Sequence, residues 1–143
     1  MSPTARSLAY LRKRAIAGVV ERYNPHAKRR HDLFGFIDIV ALDEWAGTLG
    51  VQTTTTDNIS HRLDKLREEC AGNMRLWLER GNRLVIHGWA KRGPRGQRKT
   101  WTLTERVVRL EDLEPRADVA LALGVAAPAS GAGARPGGAT DGR

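Results

Sequence analysis

The chain has 143 residues, of which 24 are Lys or Arg and 16 are Asp or Glu, for a net charge of +8. That length suits one domain at ~150 residues per domain, and 41% apolar residues suffice for a core and exclude wholesale disorder. No apolar run approaches the ~20 residues of a membrane span, and the single cysteine, Cys70, excludes an internal disulfide or a Cys-rich zinc site.

The first residues lack the continuous apolar stretch of a secretory signal. A reducing, cytoplasmic setting, bacterial or phage-encoded, is therefore expected, with no membrane partner. The excess of positive charge points to a polyanion, most simply nucleic acid.

In chain order, Ser2 and Pro3 form a helix start, and Leu8, Leu11, Ala15 and Val19 follow at helical spacing, with Gly18 as a stop. Val19–Tyr23 reads as a short strand closed by Asn24-Pro25. A basic run follows: His26, Lys28, Arg29, Arg30 and His31. Phe34–Leu42 is almost continuously apolar, which predicts a strand buried on both faces. Leu49–Thr56 is β-branched and predicts a partner strand. From Asp57, Ile59, Leu63, Leu66 and Cys70 recur at helical spacing, and Met74, Trp77 and Leu78 continue to Gly81. Gly72 predicts a kink or two short helices. Arg83–Trp89 and Thr100–Thr104 read as strands around the tip at 90–99. The domain is expected over residues 1–113. Residues 114–143 form an Ala/Gly/Pro-rich tail, expected to be disordered, because Gly, Ala and Pro fill 14 of the positions 124–143.

Asp38 carries the most chemical information. A carboxylate inside an apolar strand costs several kcal/mol unless it meets a cation, donors or water. A divalent metal at the sheet edge answers that cost, and so does a structural partner such as an arginine.

The residues Asp32-Leu-Phe-Gly-Phe-Ile-Asp38 and Gly50-Val-Gln-Thr-Thr54, with a helix before and after, fall in a familiar order. From Tyr10 to Thr104 the chain resembles the PD-(D/E)XK nuclease superfamily, with its restriction-endonuclease-like and Holliday-junction-resolvase-like folds. The resemblance implies an α/β fold, α-β-β-β-α-β-β, around a central mixed sheet. It also implies a Mg²⁺- or Mn²⁺-dependent endonuclease acting on DNA in recombination, repair or phage DNA processing. Asp38 matches the family's first acid. Gln52 stands where the second acid is expected, and Thr54 stands where a lysine is expected. Gln52 and the Thr53 carbonyl would serve as weaker oxygen ligands, or Glu21 or Asp32 would supply the second carboxylate. Lys65 or His61 would replace the lysine. The departures leave a catalytically inactive DNA binder as the alternative. Resolvase-like relatives allow a homodimer.

Phosphate contacts are expected from Arg12, Lys13 and Arg14, from Lys28, Arg29 and Arg30, and from Lys91, Arg92, Arg95, Arg98 and Lys99 at the tip. The helix followed by a basic hairpin also suits a winged-helix binder, in which residues 57–70 would project as a recognition helix. A structural adaptor is a further class. Trp77, Trp89 and Trp101 are expected in the core, and Trp45 in a polar loop.

Overall fold

The computed structural model describes residues 1–114; the expected tail lies outside the described residues. The fold is α/β: a five-stranded mixed sheet with one helix on each face. Helix α1 (Pro3–Leu11) starts on Ser2, whose hydroxyl accepts the Ala5 N–H, with Pro3 in the first turn. It leads into β1 (Ile16–Val19), so the helix ends well before Gly18. Next come the small ribbon β2 (Arg22–Asn24) and β3 (Arg29–His31), then β4 (Ile39–Leu42) and β5 (Leu49–Thr55). Helix α2 (Ile59–Glu79) crosses to β6 (Arg83–Arg92), which turns back as β7 (Thr100–Val108).

The sheet order is β1-β4-β5-β6-β7. Only β5 and β6 run parallel, as the α2 crossover between them requires. Alternation along β6 divides the core. Leu84 and Ile86 face α2 with Phe36, Ile37, Leu66 and Met74, whereas Val85 faces α1 with Leu11, Ile39 and Val51. Helix α2 therefore packs on the sheet through Leu63, Leu66, Cys70 and Met74, which overturns the projecting recognition helix of a winged-helix domain. It is also one continuous helix. Gly72 is exposed and a Cβ there would meet nothing within 4 Å, so its cost is the backbone entropy alone.

Two further expectations fail locally. Val19–Tyr23 is not one strand: β1 ends at Val19 and β2 begins at Arg22, and Asn24, accepting the His26 and Ala27 N–H groups, closes β2 onto β3 within the basic run. The apolar stretch 34–42 is not one strand. Leu33 pairs with Ile37 around a tight turn in which Phe34 and Gly35 both have positive φ, and β4 begins only at Ile39.

Candidate metal centre

Two ladders meet where β4 separates from β5. In the ribbon, Arg22 pairs with His31, so the next step of that register sets Glu21 beside Asp32. In the turn, Leu33 pairs with Ile37, so the next step sets Asp32 beside Asp38. The β1–β4 register ends at Val19 and Ile39, and the Val20 N–H donates to the Asp38 carbonyl, which brings Glu21 to the same place. Carboxylate oxygens of Glu21, Asp32 and Asp38 consequently lie within 4.8 Å of one another.

Asp38 is 4% exposed. Its Oδ2 accepts the Thr53 N–H at 2.8 Å, the Thr53 hydroxyl at 3.0 Å and the Gln52 Nε2 at 2.7 Å. The carboxyl thus replaces a strand partner for β5 beyond the end of the β4 ladder. Burial, and then hydrogen bonding to and repulsion from Asp32, raise its pKa to about 7 against the pull of Thr53. The Thr53 hydroxyl also meets the Thr4 hydroxyl at 2.8 Å, which ties α1 to the site.

Gln52 is 2% exposed, and its Oε1 has no hydrogen-bond partner. Three carboxylates within 4.8 Å of one another are oxygen donors of the kind that could hold a hard divalent cation. Thr53 faces the site as a donor that fixes Asp38. The Thr54 hydroxyl accepts from Asn58 Nδ2 and closes the start of α2.

Neither expected lysine substitute meets the acids. His61 and Lys65 are exposed on α2 and make no ion pair among the described residues. The cation that does reach the cluster is Arg30, whose NH1 lies 2.7 Å from Glu21 Oε1. The sequence carried a signal for it only through the ribbon register.

The basic groups divide by position. The ribbon, with Lys28, Arg29 and Arg30, and the exposed tip, with Arg92, Arg95, Arg98 and Lys99, extend from the sheet end that holds the acids. Arg12, Lys13 and Arg14 precede β1 at the opposite end. There Arg12 donates to the Ala17 carbonyl and Arg14 to the Tyr10 hydroxyl.

Trp77 and Trp89 pack inside, and Trp45 is exposed as expected. Trp101 departs from expectation: it is 43% exposed under the Arg6 guanidinium, 3.8 Å away. A second polar chain joins Ser7, His87 and Glu105. Ser7 is fully buried and its oxygen accepts Trp89 Nε1, so no substrate reaches it as a nucleophile. A hollow of about 420 Å³ lined by Tyr10, Arg14, Trp45, Arg83 and His87 contains none of the three acids.

Gly35 holds the turn that positions Asp32 and Asp38. Its φ is +87°, and a Cβ there would lie 2.8 Å from Cys70 Sγ. Gly35→Ala should cost roughly 1–3 kcal/mol in chemical denaturation. Adding Cys70→Ala should recover the steric part and leave the backbone part. Full recovery by the double variant would show that the turn tolerates alanine at that φ.

No protein-family model, no curated protein and no solved structure matches this chain.

Proposed function

We propose that the protein is a DNA-binding phosphodiesterase of the PD-(D/E)XK type, working with Mg²⁺ or Mn²⁺ held by Asp38, Asp32 and Glu21. The observation that supports this reading most is the convergence of those three carboxylates, from two separate ladders, at a buried Asp38 that the Gln52 Nε2 also reaches. The acids stand at the sheet end from which two basic hairpins extend. Asp38 stands immediately before β4, and Gln52 lies on β5 ahead of the α2 crossover; the resemblance would set both on strands in that order. The departure at Gln52 is offset by Asp32 and Glu21, so the carboxylate count needed for a hard cation is met from another direction.

A cation bound there would polarise the scissile phosphate and acidify a bound water. The chain's own residues do the rest. Thr53 and Gln52 hold the Asp38 carboxylate in one orientation. Lys28, Arg29 and the 92–99 tip neutralise backbone phosphates on either side of the acids.

The test is cleavage of linear, branched and single-stranded DNA with Mg²⁺ or Mn²⁺, comparing the wild type with Asp38→Ala. Wild type should cut and the variant should not. Binding without cutting by the wild type would leave the inactive DNA binder as the reading. Binding itself should be salt-dependent. Lys28→Ala with Arg29→Ala, and Arg95→Ala with Arg98→Ala, should each flatten the salt slope by about one per lost phosphate contact. Arg12→Ala should change it less. Equal effects from all three would mean that the charge acts diffusely.

A further inference from the structure

We infer that Arg30 is the cation of this site: it holds Glu21 and presents its remaining N–H groups to a non-bridging oxygen of the bound phosphodiester. The inference rests on the metal-dependent reading above and assigns the role left vacant by Thr54. Three observations carry it, none of which involves the titration of an acid.

The first is register. Tyr23 pairs with Arg30 in the ribbon and Arg22 with His31, and one further step of that register, past the ribbon's end, sets Glu21 beside Asp32. Side chains two apart on a strand share a face, so Arg30 and Asp32 lie on one face, and Glu21 is the diagonal neighbour of Arg30 across the ribbon. The register sets the Arg30 side chain on the face that carries Glu21, with which its guanidinium pairs. The neighbouring Arg29 points to the other face and makes no ion pair among the described residues.

The second is geometry. NH1 of Arg30 meets Glu21 Oε1 at 2.7 Å, within the range of a charge-assisted bond. The Glu21 side chain is 11% exposed while that of Arg30 is 67% exposed. One edge of the fork is thus anchored and the other faces outward, where a phosphate bound at the acids would lie. A planar guanidinium that keeps free donors suits two phosphate oxygens better than a lysine ammonium would.

The third is elimination among the described residues. The other arginines with carboxylate partners pair with Asp43, Asp64, Glu79, Asp112 and Glu114, all outside the cluster. Lys65 and His61 touch none of its acids.

The consequence is a pair of effects with opposite signs. Removing a positive charge beside the cluster strengthens its attraction for a dication, while removing the phosphate donor weakens the reaction. Arg30→Gln should bind Mn²⁺ roughly 3- to 10-fold tighter by calorimetry without DNA. The same variant should cut DNA on the order of 100-fold more slowly at saturating Mn²⁺ and saturating DNA. Arg30→Lys should keep wild-type Mn²⁺ affinity and recover part of the rate. Arg80→Gln, the same charge change at the far end of α2, should move neither quantity. A misfolded variant would lose metal affinity, so tighter binding with slower cutting separates the role from damage. Wild type that cuts, with Arg30→Gln cutting equally fast, overturns the Arg30 role and leaves the nuclease reading intact. Wild type that binds Mn²⁺ and cuts no DNA overturns both. Unchanged or weaker Mn²⁺ affinity in Arg30→Gln also overturns the role, because its charge would then not be felt at the acids.

Discussion

Asp38→Asn should make the metal-free protein more stable at pH 8 and should abolish its stabilisation by Mn²⁺. The wild-type carboxyl is raised from 3.8 to about 7, first by burial and then by Asp32. A raised acid contributes stability below its unfolded pKa and loses that contribution as pH rises through the folded value. At pH 8 the metal-free site holds a charge it cannot neutralise, at a cost on the order of 4 kcal/mol. Asparagine keeps an oxygen for the Thr53 N–H and hydroxyl, and its amide can donate to Asp32. It removes the charge and its desolvation together. A domain of this size responds by ~4–8 °C per kcal/mol, so a rise in melting temperature of at least ~5 °C is expected at pH 8. Mn²⁺ should raise the wild-type melting temperature and leave the variant unmoved, which thermal scans with and without the ion would read. A metal-free variant less stable than wild type at pH 8 would mean that Thr53 and Gln52 already satisfy the carboxylate, and the cation would lose its physical motive.

The cost of Asp38 was legible in the sequence because it is a property of one residue in its local run. Its companions Glu21 and Asp32 could be named from the sequence only as alternatives to Gln52, because which acids meet depends on register. Glu21 and Asp32 meet only if residues 24–29 close a ribbon; the Asn24 turn was legible, but the returning strand Arg29–His31 was hidden in a run rich in charge. The same holds for Asp32-Leu-Phe-Gly-Phe-Ile-Asp38. Its apolar continuity reads as a strand, yet Gly35 at φ +87° folds it back so that its two end acids become neighbours. Local hydrophobicity carries no mark distinguishing a strand from a turn with buried flanks. Trp101 shows the opposite limit. Its strand was legible from alternation, but whether its face is covered depends on how far α1 reaches. That helix packs mainly on β1, β4, β5 and β6, and Arg6 extends from it over Trp101 on β7. Arg30 combines both: its charge was obvious, and its pairing with Glu21 was hidden in a cross-strand diagonal.

Between pH 4 and 7 the metal-free wild type should show nearly level stability, and Asp38→Asn should expose a steady loss on acidification. The hidden contribution is that of His87. Burial lowers its pKa from 6.5 to about 4. Its Nδ1 lies 3.0 Å from the Ser7 oxygen, which also accepts Trp89 Nε1 at 2.9 Å. Glu105 lies 3.4 Å from Nε2 and would favour the charged ring, but it is half exposed, so burial prevails and the pair is not an ion pair at neutral pH. A lowered histidine contributes stability above its unfolded pKa and loses it as pH falls through the folded value. Acidification from 6.5 to 4 therefore removes about 3 kcal/mol through His87. Over nearly the same window, protonation of Asp38 returns a similar amount with the opposite sign, so the two slopes cancel in the wild type. In Asp38→Asn only the histidine slope remains. Urea denaturation of both proteins at pH 4, 5, 6 and 7 would separate them. Saturating Mn²⁺, which holds Asp38 deprotonated, should tilt the wild-type profile toward that of the variant above pH 5. Parallel profiles for wild type and variant in the absence of metal would show that Asp38 and Asp32 are charged together in the folded protein, with no shared proton for a cation to replace.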